Sequence, residues 1–396
     1  MLYNTNLNLD QIRKDTPNCL DKLYFNNAGA SLMPKPVMAK IQEYLIEEEK
    51  YGGYAAFDRN SAEIQQFYDE TAELIGAKPH NIAFAHSATD AYAKALSAID
   101  FQKGDVILTT ADDYVTNQMQ FLSLQKRFGI EIKRVQNNAN GDIDFEDFER
   151  LIAVKKPRLV CVTHIPTNSG LVQDVEKVSE ICEREGLTFL LDACQVVGQL
   201  PVSVAKIKCD FMSVTGRKFL RGPRGTGFLY ISDRMLEQGS YPLFIDGAGA
   251  IWRSENTFEL IEQGKRFQYW ELPYALLLGL KEAIRYQKDL GIENIQSYND
   301  QVMAYLRKNI ATIPGVNTFD HGSVTCNILT FTKGEKSILT LKEELLKRDV
   351  YCSISARESG VIDFDKKGIK GVVRISPHYF NTIDEVDRLL NHINDL

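Results

Sequence analysis

Between residues 80 and 232 the chain repeats one motif: a short apolar run, then a stretch with helical spacing. The runs are "NIAFAH", "DVILTT", "EIKRVQ", "RLVCVTH", "TFLLDA", "DFMSVTG" and "GFLYIS". Most are apolar nearly throughout rather than at alternate positions, so each expects cover on both faces. The segments between them, such as "TDAYAKALSAI", "DFERLIAVK" and "VEKVSEICEREG", carry apolar residues three and four apart. Buried strands alternating with amphipathic helices require a mainly parallel sheet with helices on both sides, which is the α/β class. Upstream, "PKPVMAKIQEYLIEEEKYGG" has helical spacing and stops on glycines, and "FYDETAELIGA" reads as a further helix.

Beyond about residue 270 the texture changes to long helices, "YALLLGLKEAIRYQKDLG" and "IENIQSYNDQVMAYLRKNIATI". Single strands and helices follow, "CNILTFT", "SILTLKEELLKRD", "GVVRISP" and "TIDEVDRLLNHI". This order suggests a large domain over 23–285 and a smaller α+β domain over 286–396, with residues 1–22 packing on the smaller one. At 396 residues the chain is long enough for both.

The net charge of −7 leaves no basic excess to neutralise nucleic-acid phosphates. No run approaches the roughly 20 apolar residues needed to span a bilayer, and the N-terminus lacks the basic start and apolar core of a secretion signal. Seven scattered cysteines without a C-x-x-C pair suggest reduced, mostly buried thiols in a cytoplasmic protein. The six histidines lack ligand spacing, so no metal site is expected.

Open α/β sheets bind ligands beyond the carboxyl ends of their strands. There the sequence places residues 87–90 (Ser-Ala-Thr-Asp), "ADDYVTN", "IPTNSG", "DACQ" and "TGRK". Residues 87–90 open a helix, where free N–H groups and the dipole favour an anion such as phosphate; a plain helix cap by Ser87 or Thr89 is the other reading. Lys218 in "TGRK" is not in a Walker loop, since Phe211 stands five residues before Gly216, where the first glycine belongs. "GPRGTG" precedes a strand instead of opening a helix, so it is no dinucleotide fingerprint. A phosphate seat, a strand-end carboxylate (Asp192) and a lysine 26 residues further on (Lys218) form the set that pyridoxal phosphate needs.

With these motifs in order from "LYFNNAGAS" to "RISPHYFNTIDEVDRLL", the chain resembles the class V aminotransferases, which include cysteine desulfurases and selenocysteine lyases. The resemblance implies a fold-type I homodimer with active sites at the subunit interface, pyridoxal 5'-phosphate as cofactor and a small amino acid as substrate. It makes Lys218 the Schiff-base lysine, Asp192 the partner of the pyridine nitrogen, Gln195 and Thr167 neighbours of O3′, and Ser87, Ala88 and Thr89 the phosphate turn. Thr215 and Arg217 fall where the family carries serine and histidine on the phosphate. Tyr114 takes the place of the histidine that stacks on the ring. Arg374 matches the arginine that grips the substrate carboxylate, while Asn27, Ala28 and Gly29 match a loop over the substrate. Residues 266–271 correspond to a stretch approaching the other subunit's phosphate.

One departure stands out. Desulfurases carry a mobile cysteine in the loop before the "R-[IA]-S" strand, and here that region reads "VYCSISARESG". Cys352 comes about six residues too early and reads as a strand residue, with Arg357 and Glu358 at the loop tip. "THIPTNSGLV" and "RFQYWE" resemble instead the branch of ergothioneine-type C–S lyases, cystine lyases and isopenicillin N epimerase. A β-eliminating C–S lyase is therefore expected, with an aminotransferase or epimerase as alternatives and a catalytically silent scaffold as the reading from another class.

Overall fold

The computed structural model describes residues 6–396; the first five residues of the N-terminal segment lie outside them. After β1 (Leu23–Tyr24), each apolar run forms a strand: β2 (Ile82–Ala85), β3 (Val106–Thr110), β4 (Glu131–Val135), β5 (Leu159–Thr163), β6 (Phe189–Asp192), β7 (Phe211–Thr215) and β8 (Gly227–Ile231). They build one seven-stranded sheet ordered β2-β8-β7-β6-β5-β3-β4. Neighbours among β3 to β7 pair in parallel, whereas β8 is antiparallel to both β7 and β2. This is the mainly parallel α/β sheet that the periodicity demands.

The all-apolar strands feed two cores. Val160, Val162, Phe189 and Leu191 point into one, while Leu159, Cys161 and Leu190 point into the other. Each such aliphatic side chain contributes roughly 1.5–3 kcal/mol by leaving water. The covering helices start where capping residues stand. Asp174 accepts from Lys177 N at 3.0 Å to open the helix Val175–Arg184, which buries Val178, Ile181 and Cys182.

Parallel register aligns the carboxyl ends of the strands. Thr163 lies opposite Asp192, and Asp192 opposite Ser213. Two glycines let the turns beyond this edge close up. Gly198 has φ +104°, and a Cβ there would lie 2.3 Å from the Phe219 carbonyl carbon. At Gly227 a Cβ would meet Val214 O at 2.3 Å and approach the Ser87 backbone at 3.4 Å. The chain around Lys218 is thus pressed between the turn after β6 and the turn after β2.

A hairpin, β9 (Ala250–Ser254) with β10 (Thr257–Leu260), projects largely exposed side chains. A second sheet combines β11 (Val316–Thr318), β12 (Leu329–Lys333), β14 (Ser353–Ala356) and β15 (Gly371–Ile375) in the order β11-β12-β15-β14, all antiparallel. The short β13 (Val350–Tyr351) pairs in parallel with β1. Leu7, Ile12, Cys19 and Phe25 share a core with this C-terminal part. Within the helix Tyr274–Leu290 the cores change over: Ile284 belongs to the large one, and Tyr286 and Leu290 pack on the C-terminal one.

Two local readings need correction. Cys352 sits in the one-residue break between β13 and β14, not inside a strand. The presumed loop tip at Arg357 and Glu358 is a 3-10 turn that leads into a helix, Val361–Lys367, anchored by buried Phe364.

Candidate active site

The carboxyl edge of the main sheet holds a pocket lined by Ser87, Ala88, Thr89, Tyr114, Thr167, Asp192, Gln195, Thr215, Arg217 and Lys218, together with Thr163, Ile165 and Cys194. Every residue expected to touch a cofactor therefore faces one space, although 131 positions separate the first from the last. Thr163, Ile165 and Cys194 were not singled out from the sequence. Cys194 stood in the quoted "DACQ", but a small thiol between two polar residues carries no signal of its own.

Each side chain has a local reason for its position. Ser87 is the N-cap of the helix Ala88–Ser97, its hydroxyl accepting from Asp90 N at 3.1 Å. The cap and the anion seat are thus compatible, because the first-turn N–H groups of Ala88 and Thr89 still lack intrahelical partners. Asp192 ends β6 and is buried; Oδ1 accepts from Cys194 N at 2.9 Å and Oδ2 from Asn117 Nδ2 at 3.1 Å. Tyr114 is the N-cap residue of the helix Val115–Phe128, and its ring centroid lies 5.7 Å from Lys218 Nζ.

Lys218 is 6% exposed. Burial lowers its pKa from 10.5 to about 8, with Arg217 and Arg374 pushing the same way against Cys194 and Asp192. A substantial fraction of the amine is then neutral, and hence nucleophilic, near physiological pH. Gln195 Nε2 donates to Ala28 O at 3.1 Å and Thr167 Oγ1 at 3.3 Å, while its Oε1 is buried without a partner. Arg217 donates to Gly29 O, so it reaches the N-terminal loop.

The four residues expected around the substrate are divided. Ala28 and Gly29 touch the pocket through these carbonyl contacts. Asn27 does not: its amide is buried and engaged by Ser376 O at 2.8 Å and Ser31 Oγ at 2.6 Å, so it anchors the loop to the C-terminal part. Arg374, on β15, donates from Nε to Ser353 Oγ at 3.0 Å and from Nη1 to Thr167 O at 3.1 Å. It stands behind the Thr167 wall with Nη2 uncommitted, and burial lowers its pKa to about 10.

The stretch 266–271 also splits. Arg266 turns inward to Leu236 O at 2.8 Å, and Gln268 Oε1 accepts from Tyr68 and Phe84 N, because both are buried under the sheet edge. Trp270 and Glu271 remain exposed. Neither the candidate thiol Cys352 nor the pocket-lining Cys194 is activated. Burial raises Cys352 to about 12 and drives Cys194 well above its ordinary value.

A larger cavity of about 380 Å³ opens at the opposite, amino ends of the strands, beside Cys182, Cys209 and Asp210. Its charges are already paired, Asp210 with Arg234 at 2.5 Å and Lys208 with Glu183 at 2.7 Å.

An amine of lowered basicity, a buried strand-end carboxylate, an open helix N-terminus and an unpartnered amide oxygen form a set of groups that suits pyridoxal phosphate. The Gln195 amide cannot be flipped, because its oxygen would then face the Ala28 carbonyl, so the N–H groups stay on Ala28 O and Thr167 Oγ1 and Oε1 is left without a partner. Residues 23–389 match the family model described as aminotransferase class-V. The chain is a member of that family.

Relatives of this class-V chain include a probable cysteine desulfurase of Pyrococcus abyssi, 28% identical across 98% of this chain and 97% of its own. A probable cysteine desulfurase of Methanothermobacter thermautotrophicus is also 28% identical, covering 96% of each. Among solved structures, the apo cysteine desulfurase from Thermococcus onnurineus NA1 matches with a TM-score of 0.91 at 24% identity, over 99% of this chain and 98% of that one. The cystine C–S lyase C-DES, solved with its reaction product cysteine persulfide, matches with a TM-score of 0.85 at 22% identity, over 96% and 99%. The likeness to these structures fixes the fold as that of the fold-type I class-V enzymes.

Proposed function

We propose that this class-V enzyme is a pyridoxal-phosphate-dependent lyase that cleaves the C–S bond of a small cysteine-derived amino acid by β-elimination. The observation that carries this choice is the state of the thiols: among the described residues every cysteine is free and buried, and neither Cys194 nor Cys352 is a ready thiolate. Without an activated cysteine to attack substrate sulfur, the sulfur has to leave with a proton. The names of the relatives, desulfurases and a cystine lyase, support a cysteine-derived substrate.

When bound, the cofactor supplies a carbonyl that captures the substrate amine and a ring that accepts the electron pair released at Cα. The chain's own groups do the rest. Residues 87–89 and Thr215 would hold the phosphate, Gln195 and Thr167 the ring oxygen, and Tyr114 the ring face. Asp192 would keep a proton on the ring nitrogen. Lys218 would hold the aldehyde carbon at rest, and its free Nζ would take the α-proton and deliver a proton to the departing sulfur. Arg374 would fix the α-carboxylate through Nη2 and the remaining N–H of Nη1. The products would be a thiol or persulfide and, after uptake of water, pyruvate and ammonia. Two copies of the chain would complete the site, for which exposed Phe244, Trp252 and Trp270 offer apolar contact.

Incubation of the purified protein with cystine, cysteine and S-substituted cysteines should give pyruvate together with a thiol, persulfide or sulfide. Lys218→Ala should abolish this, and Cys352→Ala should preserve it. Racemised substrate without pyruvate, or loss of turnover in Cys352→Ala, would sink the lyase reading.

A further inference from the structure

Behind Asp192 lies a second buried carboxylate. Asp113 is 4% exposed and accepts five hydrogen bonds. Its Oδ1 takes Tyr114 N at 2.6 Å, Asn117 Nδ2 at 3.1 Å and the Thr163 hydroxyl. Its Oδ2 takes Gln118 Nε2 at 2.9 Å and Thr109 Oγ1 at 3.2 Å. The amide nitrogen of Asn117 has two hydrogens, and it lies 3.1 Å from Asp113 Oδ1 and 3.1 Å from Asp192 Oδ2. One amide thus bridges two carboxylates. Its orientation is forced, since a carbonyl oxygen in that place would face two acceptors. Gln118 is oriented in the same way from outside: Arg134 donates to its Oε1 from Nε at 3.1 Å and Nη2 at 2.6 Å, turning the Gln118 N–H groups toward Asp113.

We propose that Asp113 is a positioning residue for the cofactor. Through Asn117 it holds Asp192 in place, through the Tyr114 backbone it fixes the stacking ring, and its negative charge adds to that of Asp192 in holding the proton on the ring nitrogen. This rests on the assignment of Asp192 to that nitrogen. The five donors favour the charged form of Asp113. Burial, with the Asp192 charge beside it, outweighs them and raises its pKa from the ordinary value. The groups facing it are Asp192 on β6, Arg134 on β4, the adjacent Asp112, and Tyr92 and Cys161, both kept neutral by burial. No lysine or arginine forms an ion pair with Asp113 or Asp192 among the described residues, although Lys218 and Arg134 stand within reach of their fields.

Removing an anion beside a protonated nitrogen makes that proton easier to lose, so the pH midpoint should fall. In the holoenzyme, Asp113→Asn keeps the shape and removes the charge. The 15N resonance of the ring nitrogen in its bound, labelled cofactor should titrate about one pH unit lower than in the unaltered protein, and reconstitution should need about tenfold more cofactor. The half-buried Gln118→Met, which deletes one donor, should move the midpoint the same way by less, and it decides the matter if Asp113→Asn does not fold. An Asp113→Asn or Gln118→Met protein that loses thermal stability but titrates unchanged overturns the proposal and leaves Asp113 a packing residue. Asp192→Asn is measured alongside. If it shifts the midpoint while Asp113→Asn does not, the relay alone fails; if Asp192→Asn is also silent, the assignment of Asp192 falls and takes the relay with it.

Discussion

Replacing Lys218 by methionine should make the cofactor-free protein more stable at neutral pH, although it removes the residue on which the chemistry depends. Burial lowers the amine from 10.5 to about 8, a drop that corresponds to about 3 kcal/mol of destabilisation wherever the lysine is charged in both the folded and unfolded chain. That condition holds below pH 8. Between pH 8 and 10.5 the folded protein releases its proton while the unfolded chain keeps it, so rising pH stabilises the native state and the cost fades. Methionine has no charge to bury, and its flexible apolar side chain fills a similar volume. Urea unfolding of both cofactor-stripped proteins at pH 7, 8.5 and 10 should therefore show an advantage for Lys218→Met of about 3 kcal/mol at the first pH, shrinking toward zero at the last. Other lysines and tyrosines also titrate in this range, but they cancel in the difference between the two proteins. An advantage that is missing, or that does not change with pH, refutes the claim that a buried cation waits in this pocket.

Gly198→Ala places a Cβ 2.3 Å from the Phe219 carbonyl carbon at φ +104°. It should cost about 2–4 kcal/mol in denaturant unfolding and weaken cofactor binding, read by fluorescence titration, because Phe219 adjoins Lys218. Arg374→Lys keeps the charge but loses the planar fork. It should raise KM about tenfold or more with a smaller change in kcat, and an unaltered KM would remove Arg374 from the carboxylate seat.

What the sequence made legible follows from the range of its signals. Strand runs such as "RLVCVTH" and the cap at Ser87 depend on neighbours a few residues away, and they fold as read. Asp192 and Lys218 could be matched because one ends a strand and the other lies just past one, places with chemical meaning in a parallel sheet. Asp113 and Asn117 stood in plain view in "ADDYVTN", yet nothing local tells that Asn117 will meet Asp192, 75 positions away. Arg217 lines the pocket beside the 87–89 turn, and it also reaches Gly29, a contact that only the packing of the N-terminal loop creates. The hairpin at 250–260 escaped notice because its side chains are mostly exposed and its runs lack the apolar continuity of the main strands.

The loop over the pocket is tied at its root to the far end of the chain: β1 pairs with β13, Asn26 bridges to Ser376, and Asn27 holds the Ser376 carbonyl. During synthesis this imposes an order. The main sheet can close once residue 231 has emerged, but residues 23–27 stay without their C-terminal partners for more than a hundred further additions. Closing so long a loop is entropically slow. The pocket is therefore roofed last, and a nascent or truncated chain ending before β15 would hold the carboxylate and the lysine in an open groove.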